Sequence, residues 1–174
     1  MDDWRKEIGV AYLVKRRVAE SDRDGLWPFH LPEVGASEEQ LEEAEQRCGG
    51  KMDAHYRDFL RFANGWQGFF QSVDLFSTID LSGSERLKRA NELLDSLAPL
   101  EPVCGIERQE CLPIAVSRDG IDVFFIANNV SADPGAVYWF AGQLVERFKN
   151  FDEFFLAMID YNRSEAQSLG DTEI

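Results

Sequence analysis

The chain has 174 residues, about the length of one ordinary domain, and 44% of them are hydrophobic, including 13 Phe and 4 Trp. This content is enough for one sizeable core and excludes disorder over most of the chain, because disordered segments are poor in aromatic side chains. Asp and Glu number 32 against 18 Lys and Arg, which gives a net charge of −14. That charge argues against nucleic acid or an anionic membrane as the partner and favours a basic protein.

The cysteines and the N-terminal residues indicate a compartment. Cys48, Cys104 and Cys111 have no short paired spacing, which argues against a disulfide framework and suits a reducing environment. The first residues show no signal-peptide pattern, and no stretch approaches the roughly 18 apolar residues of a membrane span. We therefore expect a cytoplasmic protein that is monomeric when free.

The N-terminal half is predicted to be helical. Residues 1–25 form a helix over 3–20 followed by a turn, and its basic run Lys15-Arg16-Arg17 is interpreted as a solvated face. A second helix begins after Ser37, because Gln40 three residues later completes a capping-box pattern, and it ends at Gly49-Gly50. A third begins at Asp53 and ends at Asn64-Gly65, residues 66–81 are turn and strand, and a fourth helix spans 84–97.

The C-terminal half is predicted to be mainly β-structure. Two β-rich runs, 111–117 and 121–127, are joined by a hairpin signal, and two further runs lie at 136–140 and 143–148. A last helix begins at Asn150, and residues 162–174 are expected to form a frayed tail. The fold class is therefore α+β: a mostly antiparallel sheet of about four to six strands, preceded by N-terminal helices and closed by a C-terminal helix.

A search for catalytic chemistry finds little. His30 and His55 are too far apart in sequence for a helical metal pair, and there is no Cys-x-x-Cys and no phosphate-binding loop. We therefore expect no catalytic residue, no metal and no cofactor. Glu45 stands out because it shares the inward side of the second helix with Leu41 and Cys48. A carboxylate there needs hydrogen-bond donors, so we favour a structural role, tying this helix to a neighbouring turn, over a catalytic one.

An ordered set of short motifs resembles the SUKH superfamily, whose members include fungal cell-wall synthesis regulators and many bacterial immunity proteins. The matching elements are Leu31-Pro32, Glu45, Cys48-Gly49, Met52, Tyr56-Arg57-Asp58-Phe59-Leu60 and Asn64-Gly65. Two positions depart from the pattern: Cys48 replaces an aliphatic residue, and Asp53 replaces a proline. The resemblance covers most of residues 26–160 and implies one domain over 1–174. It also implies structural roles for the motif residues Glu45, Gly49, Tyr56, Asn64 and Gly65.

The resemblance implies a domain without known catalytic residues that acts by binding another protein. The leading hypothesis is an immunity protein that neutralises a cognate polymorphic or contact-dependent bacterial toxin, with a basic nuclease-type toxin as the expected partner. A regulatory or scaffold domain with a non-toxin partner is the second hypothesis, and an uncharacterised enzyme that uses Glu45 is the third.

Two surfaces are candidates for the protein contact: the outer face of the second helix, and an aromatic turn that could supply an exposed anchor. The residues are Glu38, Glu39, Glu42 and Glu43 on the helix, and Trp66, Phe69 and Phe70 in the turn. The alternatives are a merely solvated helix face and a turn packed in the core.

Overall fold

The computed structural model describes residue 1 and residues 3–171. In this part of the chain three α-helices precede the first two strands, three more precede the last four strands, and a long helix follows. The α-helices are α1 Trp4–Ser21, α2 Glu38–Arg47, α3 Ala54–Leu60, α4 Thr78–Leu81, α5 Glu85–Leu97, α6 Glu101–Cys104 and α7 Phe151–Asp171. The strands are β1 Trp66–Phe70, β2 Val73–Leu75, β3 Cys111–Ser117, β4 Asp122–Ala127, β5 Val137–Ala141 and β6 Leu144–Phe148. None of the helices within the described residues is long and apolar enough to cross a membrane.

The six strands form one antiparallel sheet in chain order, β1-β2-β3-β4-β5-β6. Adjacent strands are joined in register, for example with Asp74 opposite Val116 and Phe124 opposite Trp139. Pro113 lies in the inner strand β3, where proline cannot donate a ladder hydrogen bond, and the register with β4 shifts between Pro113 and Ala115. The sheet and the helices around it confirm the α+β fold expected from the sequence.

The helix starts follow the local capping signals. Ser37 and Gln40 form a complete capping box at α2, and the Asp53 side chain accepts hydrogen bonds from the backbone N–H groups of His55 and Tyr56 at α3. The helical turns at α4 and α6 were not anticipated, although Ser77 and Asp80 form a second complete capping box at α4. The third helix ends at Leu60, earlier than expected, because the Leu60 carbonyl accepts a hydrogen bond from Ala36 N–H.

The last helix continues beyond the point where the sequence suggested fraying. Residues 162–171 of the expected tail are helical, and residues 172–174 lie outside the described part. Two of the polar side chains here are held by contacts with other segments, whereas Arg163, Ser164 and Gln167 are exposed. Asn162 Nδ2 donates to the Phe69 carbonyl at 3.0 Å, and Glu165 accepts from Trp27 Nε1 at 2.8 Å. The Ala166 side chain is buried as well.

Aromatic rings join the helices to the sheet. Trp4 of α1 contacts Phe59 of α3 and Phe155 of α7, with ring centroids 5.2 and 5.1 Å apart. Phe155 in turn stacks on Phe69 of β1 at 5.2 Å, and its neighbour Phe154 contacts Phe124 of β4 at 5.4 Å. Each such ring buries roughly 150–250 Å², so this cluster supplies much of the hydrophobic stabilisation.

The basic run in α1 is only partly solvated. Arg16 and Arg17 are exposed as expected, but Lys15 is 2% exposed, which corrects the interpretation of the whole run as a solvated face. Burial lowers the pKa of Lys15 from 10.5 to about 8, although Glu165 and Asp22 partly oppose this shift. Lys15 is therefore charged at neutral pH at a cost in desolvation.

Replacing Lys15 with methionine, which has a similar length and helix propensity, is expected to raise the free energy of unfolding by about 1 kcal/mol near pH 7. Because the folded pKa lies below the unfolded one, wild-type stability rises with pH between about 8 and 10.5. The advantage of Lys15→Met should therefore shrink over that range in urea titrations. Arg16→Met, on the exposed neighbour, is the control, and a less stable Lys15→Met protein would contradict the expectation.

Candidate functional site

Glu45 lies buried between α2 and the chain that enters α3. Its carboxylate accepts hydrogen bonds from Lys51 Nζ at 2.7 Å, from Met52 N–H at 3.2 Å and from Arg57 Nε at 3.2 Å. Burial by itself would raise the pKa of Glu45, but these donors outweigh it and hold the pKa below its usual value of 4.5. The carboxylate thus connects α2 to the following turn, as the structural interpretation proposed.

The other motif residues hold the segment from Phe76 to Leu81. The Tyr56 hydroxyl, fully buried, donates to the Phe76 carbonyl at 2.8 Å. Asn64 and Thr78 form a reciprocal pair: Asn64 Nδ2 donates to Thr78 Oγ1 at 3.0 Å, and Asn64 Oδ1 accepts from Thr78 N–H at 2.8 Å. Gly65 has a φ of +89°, and a Cβ there would lie 2.8 Å from the Ser77 nitrogen. Only glycine fits this approach without a shift of the backbone.

Gly49 is placed at the end of α2, where a φ of +79° lets the chain turn away from the helix. Gly50 N–H then donates to the Glu45 carbonyl at 3.0 Å, which closes the helix end. The five motif residues thus lie on two connected parts of the molecule, the α2–α3 junction and the support of the 76–81 segment.

Two buried aspartates complete that support. Asp80 caps α4 by accepting from Ser77 Oγ at 2.8 Å, and it pairs with Arg86 at 3.2 Å. The same guanidinium lies 3.3 Å from Asp74, whose carboxylate also accepts from Gly68 N–H at 2.7 Å. Every carboxylate in this network has charged or backbone donors, and Arg86 thereby ties the short helix α4 to strand β2.

Ile79 projects from this rigid turn into solvent. Its side chain is 71% exposed, although both of its helical neighbours, Thr78 and Asp80, are buried. A cleft of about 260 Å³ separates it from α2 and is lined by Gln40, Glu43, Thr78, Ile79 and Ser82. On its other side a cleft of about 310 Å³ has Glu33, Val34 and Arg86 among its lining residues and includes the Asn64-Gly65-Trp66 segment. Ile79 was not among the residues expected at the contact surface, although the capping pattern of Ser77 and Asp80 is a signal that could have located this turn.

The acidic residues of α2 differ in how free their charges are. Glu38 is paired with Arg57 at 3.0 Å and with Arg61 at 2.8 Å, and these hydrogen bonds lower its pKa. Glu43 forms one long ion pair with Arg47, at 3.9 Å, on an exposed side of the helix. Glu39 and Glu42 are exposed and form no ion pair with any residue that the structure describes. Glu43 lines the cleft beside Ile79, and Glu39 lies one helical turn before Glu43 on the exposed side of α2.

The aromatic turn does not provide an exposed anchor. Trp66, Phe69 and Phe70 are 1%, 1% and 5% exposed, which corrects the expectation of an anchor and agrees with the alternative of a core-packed turn. Helix α7 covers two of them: Phe69 stacks on Phe155, and Phe70 contacts Tyr161 at 5.8 Å. Trp66 packs on Phe69, with ring centroids 5.6 Å apart, and its indole N–H donates to the His30 carbonyl at 2.9 Å. The aromatic turn therefore does not form one exposed surface with the acidic face of α2. The exposed apolar side chain beside α2 is Ile79 instead.

We name the exposed residues Glu39, Gln40, Glu43 and Ile79, with the cleft between them, the α2–α4 face. Glu42 lies next to it, at a separate cleft lined by Glu42, Glu45, Gln46, Gly50 and Lys51. The α2–α4 face combines one exposed apolar side chain with carboxylates on its border. This composition suits contact with a protein that presents an apolar group flanked by basic residues.

The groups considered for catalysis are scattered. His30 is exposed, and His55 lies 3.1 Å from Asp152 at the start of α7. Burial raises the pKa of all three cysteine thiols, and that of Cys111 reaches about 12, so they are poor nucleophiles. Within the described part of the chain, no group of three or more His, Cys, Asp or Glu side chains is arranged to hold a metal ion.

The fold is an α+β domain in which the long helix α7 closes a six-stranded antiparallel sheet and a buried glutamate joins α2 to the next turn. The family model for the SMI1 / KNR4 family (SUKH-1) matches residues 35–157, more than half of the chain, and the chain belongs to this family. The family is consistent with immunity-protein or regulator roles, and its domains are not known as enzymes. Comparison with curated proteins finds no match.

Replacing Glu45 with glutamine is expected to lower the free energy of unfolding by about 2 kcal/mol near pH 7, because Lys51 and Arg57 lose an ionised acceptor. The folded pKa is depressed, so the carboxylate's contribution is full above its usual 4.5 and is lost as the pH falls through the folded value. The difference between the two proteins in urea titrations should therefore narrow in acid. Glu42→Gln, on the exposed side of the same helix, should leave stability unchanged. An equal gap at neutral and acidic pH would contradict this account.

Proposed function

We propose that this protein is an intracellular immunity protein that binds and neutralises a cognate bacterial toxin, and that the toxin domain is a basic, nuclease-type enzyme. Membership of the SMI1 / KNR4 family supports a role in protein–protein interaction. The net charge of −14 favours a basic partner and disfavours direct binding to nucleic acid.

The observation that carries the proposal is the α2–α4 face. Ile79 stands exposed on a turn that Asn64, Asp80 and Arg86 hold in place, so presenting it costs little conformational entropy on binding. Glu39 and Glu43 lie on the facing helix, where they can pair with basic residues around an inserted apolar group. In this arrangement Ile79 is the anchor, and the carboxylates steer and orient the partner.

Neutralisation follows from covering the partner's basic surface. A nuclease presents Lys and Arg side chains to phosphate, and an acidic protein bound over them both blocks access and competes for the same charges. The inhibitor needs no catalytic group of its own for this mechanism. We propose that it acts as a monomer, in a one-to-one complex in the cytoplasm.

A second candidate is a regulatory or scaffold domain that binds a non-toxin protein. The matching family model is the one named for SMI1 and KNR4, and the fungal regulators of the wider superfamily favour this alternative. It uses the same surface and differs in the partner. A toxin gene immediately upstream of this gene favours immunity, and a housekeeping setting favours regulation.

Co-expression with the neighbouring toxin candidate is the direct test. We expect growth to be restored and a one-to-one complex to elute in gel filtration. The association rate should fall as salt is raised, because opposite charges steer the encounter. Growth no better than with toxin alone, together with no complex, would sink the immunity proposal. An association rate that does not change with salt, for a complex that still forms, would contradict charge steering but not binding.

Substituting Ile79 with aspartate tests the anchor. We expect Ile79→Asp to weaken toxin binding about thirtyfold, as loss of a central apolar contact does. Ile121→Asp is the matched control, since Ile121 is also exposed (56%) but lies at the β3–β4 turn. Titration calorimetry measures both, and melting curves check that both variants fold. Equal affinities of the two variants for the toxin would show that the α2–α4 face is not the interface.

A further inference from the structure

A second surface feature lies between the first and last helices. The α1 and α7 helices run side by side in the same direction: Trp4 contacts Phe151 and Phe155 near their beginnings, and Val14 and Arg17 face Ala166 and Gln167 further along. An open groove of about 360 Å³ remains between them. The α1–α7 groove is lined by Val10, Leu13, Val14, Arg17, Arg163, Ala166 and Gln167.

The groove is separate from the family domain and from the α2–α4 face. All seven lining residues lie outside residues 35–157, the part that the family model matches. None of them borders Ile79 or the acidic side of α2. A ligand bound here would therefore contact α1 and the part of α7 that continues beyond the matched region.

The floor of the groove is apolar, and its size suits a small ligand. Ala166 is buried, Val10 and Val14 are half-buried, and Leu13 stands at the edge with 60% of its surface exposed. From Val10 to Arg17 the groove extends about 10 Å, at 1.5 Å of helix rise per residue. That length is too short for a stable protein interface, which needs about 800 Å² from each partner. The volume lies in the range of small-molecule sites, about 300–1,000 Å³.

The charge of the groove is opposite to that of the molecule. Its lining holds two guanidinium groups and no carboxylate. Four other surface clefts each have at least one carboxylate in their lining, as expected for a chain with a net charge of −14. Among these five clefts, the groove is therefore the one whose charge suits an anion.

Both guanidinium groups are accessible to such a ligand. Arg17 is exposed and forms no ion pair with a residue in the described part of the chain. Arg163 is paired with Asp160, but both side chains are more than half exposed, and exposed pairs of this kind contribute little stability. Arg163 can therefore exchange Asp160 for a ligand carboxylate at small cost.

We propose that the α1–α7 groove binds a single-chain anionic amphiphile, a medium-length aliphatic chain that ends in a carboxylate. The chain lies along Val10, Val14 and Ala166 and is covered at the edge by Leu13. The carboxylate is bound by Arg17 and Arg163, whose planar guanidinium groups donate paired hydrogen bonds. Apolar burial supplies affinity, and the two arginines supply selectivity for the anion.

The test uses the full chain with isotope-labelled methyl groups and three matched probes below their micelle concentrations: decanoate, decanol and decyltrimethylammonium. Decanoate should shift the methyl signals of Leu13, Val14 and Ala166 in a saturable way. Decanol should bind about tenfold more weakly, because it lacks the charge that Arg17 and Arg163 recognise. The cationic probe should produce no saturable shift. No saturation with decanoate, or equal affinity for decanoate and decanol, would overturn the proposal.

Variants identify the binding groups. Arg17→Gln/Arg163→Gln should weaken decanoate binding about tenfold and leave decanol binding unchanged. The control is Arg16→Gln/Arg47→Gln, which removes the same charge from exposed positions outside the groove and should leave the decanoate affinity unchanged. Melting curves check folding. Equal decanoate affinity in the two double variants would overturn the proposal. Binding to anionic vesicles without binding to free decanoate would also overturn it, in favour of a membrane surface.

Discussion

The reciprocal pair between Asn64 and Thr78 is the constraint on which the candidate site depends. Two hydrogen bonds, 3.0 and 2.8 Å long, join the start of α4 to the connection between α3 and β1. Tyr56 fixes the residue before that turn, and Gly65 allows the two backbones to approach. The short helix α4 is too small to be stable alone, so these contacts determine where it lies. With Thr78 and Asp80 turned inward to Asn64 and Arg86, Ile79 between them lies on the outer side of the turn.

The acidic residues serve two different purposes that composition alone does not separate. Glu45, Asp74 and Asp80 are buried, and each is matched by an Arg or Lys and by backbone or hydroxyl donors, so they hold elements together. Glu39 and Glu43 keep their charges at the surface, beside an apolar side chain. A buried ion pair fixes the relative position of two elements more than it stabilises the fold, whereas an exposed carboxylate attracts a basic partner through its electrostatic field.

Much of the fold could be predicted from local signals. Ser37 with Gln40 located the start of α2, Asp53 that of α3, and two β-rich runs joined by a hairpin signal located β3 and β4. Glu45 could be assigned a structural role because a carboxylate on an apolar side must find donors. The ends of α3 and α7 could not be predicted, because contacts from distant segments set them: Ala36 ends α3, and Trp27 and Phe69 hold the last turns of α7.

The sequence by itself determined the fold class, the acidic charge, the capped helix starts and membership of the SMI1 / KNR4 family, since these depend on periodicity, composition and short motifs. Only the tertiary structure decided that Trp66, Phe69, Phe70 and Lys15 are buried and that Ile79 is exposed. The physical reason is that exposure depends on which surfaces meet after folding. Contacts between residues far apart in the chain, such as Phe69 and Phe155, determine which side chains are exposed, and no local sequence pattern predicts such a contact.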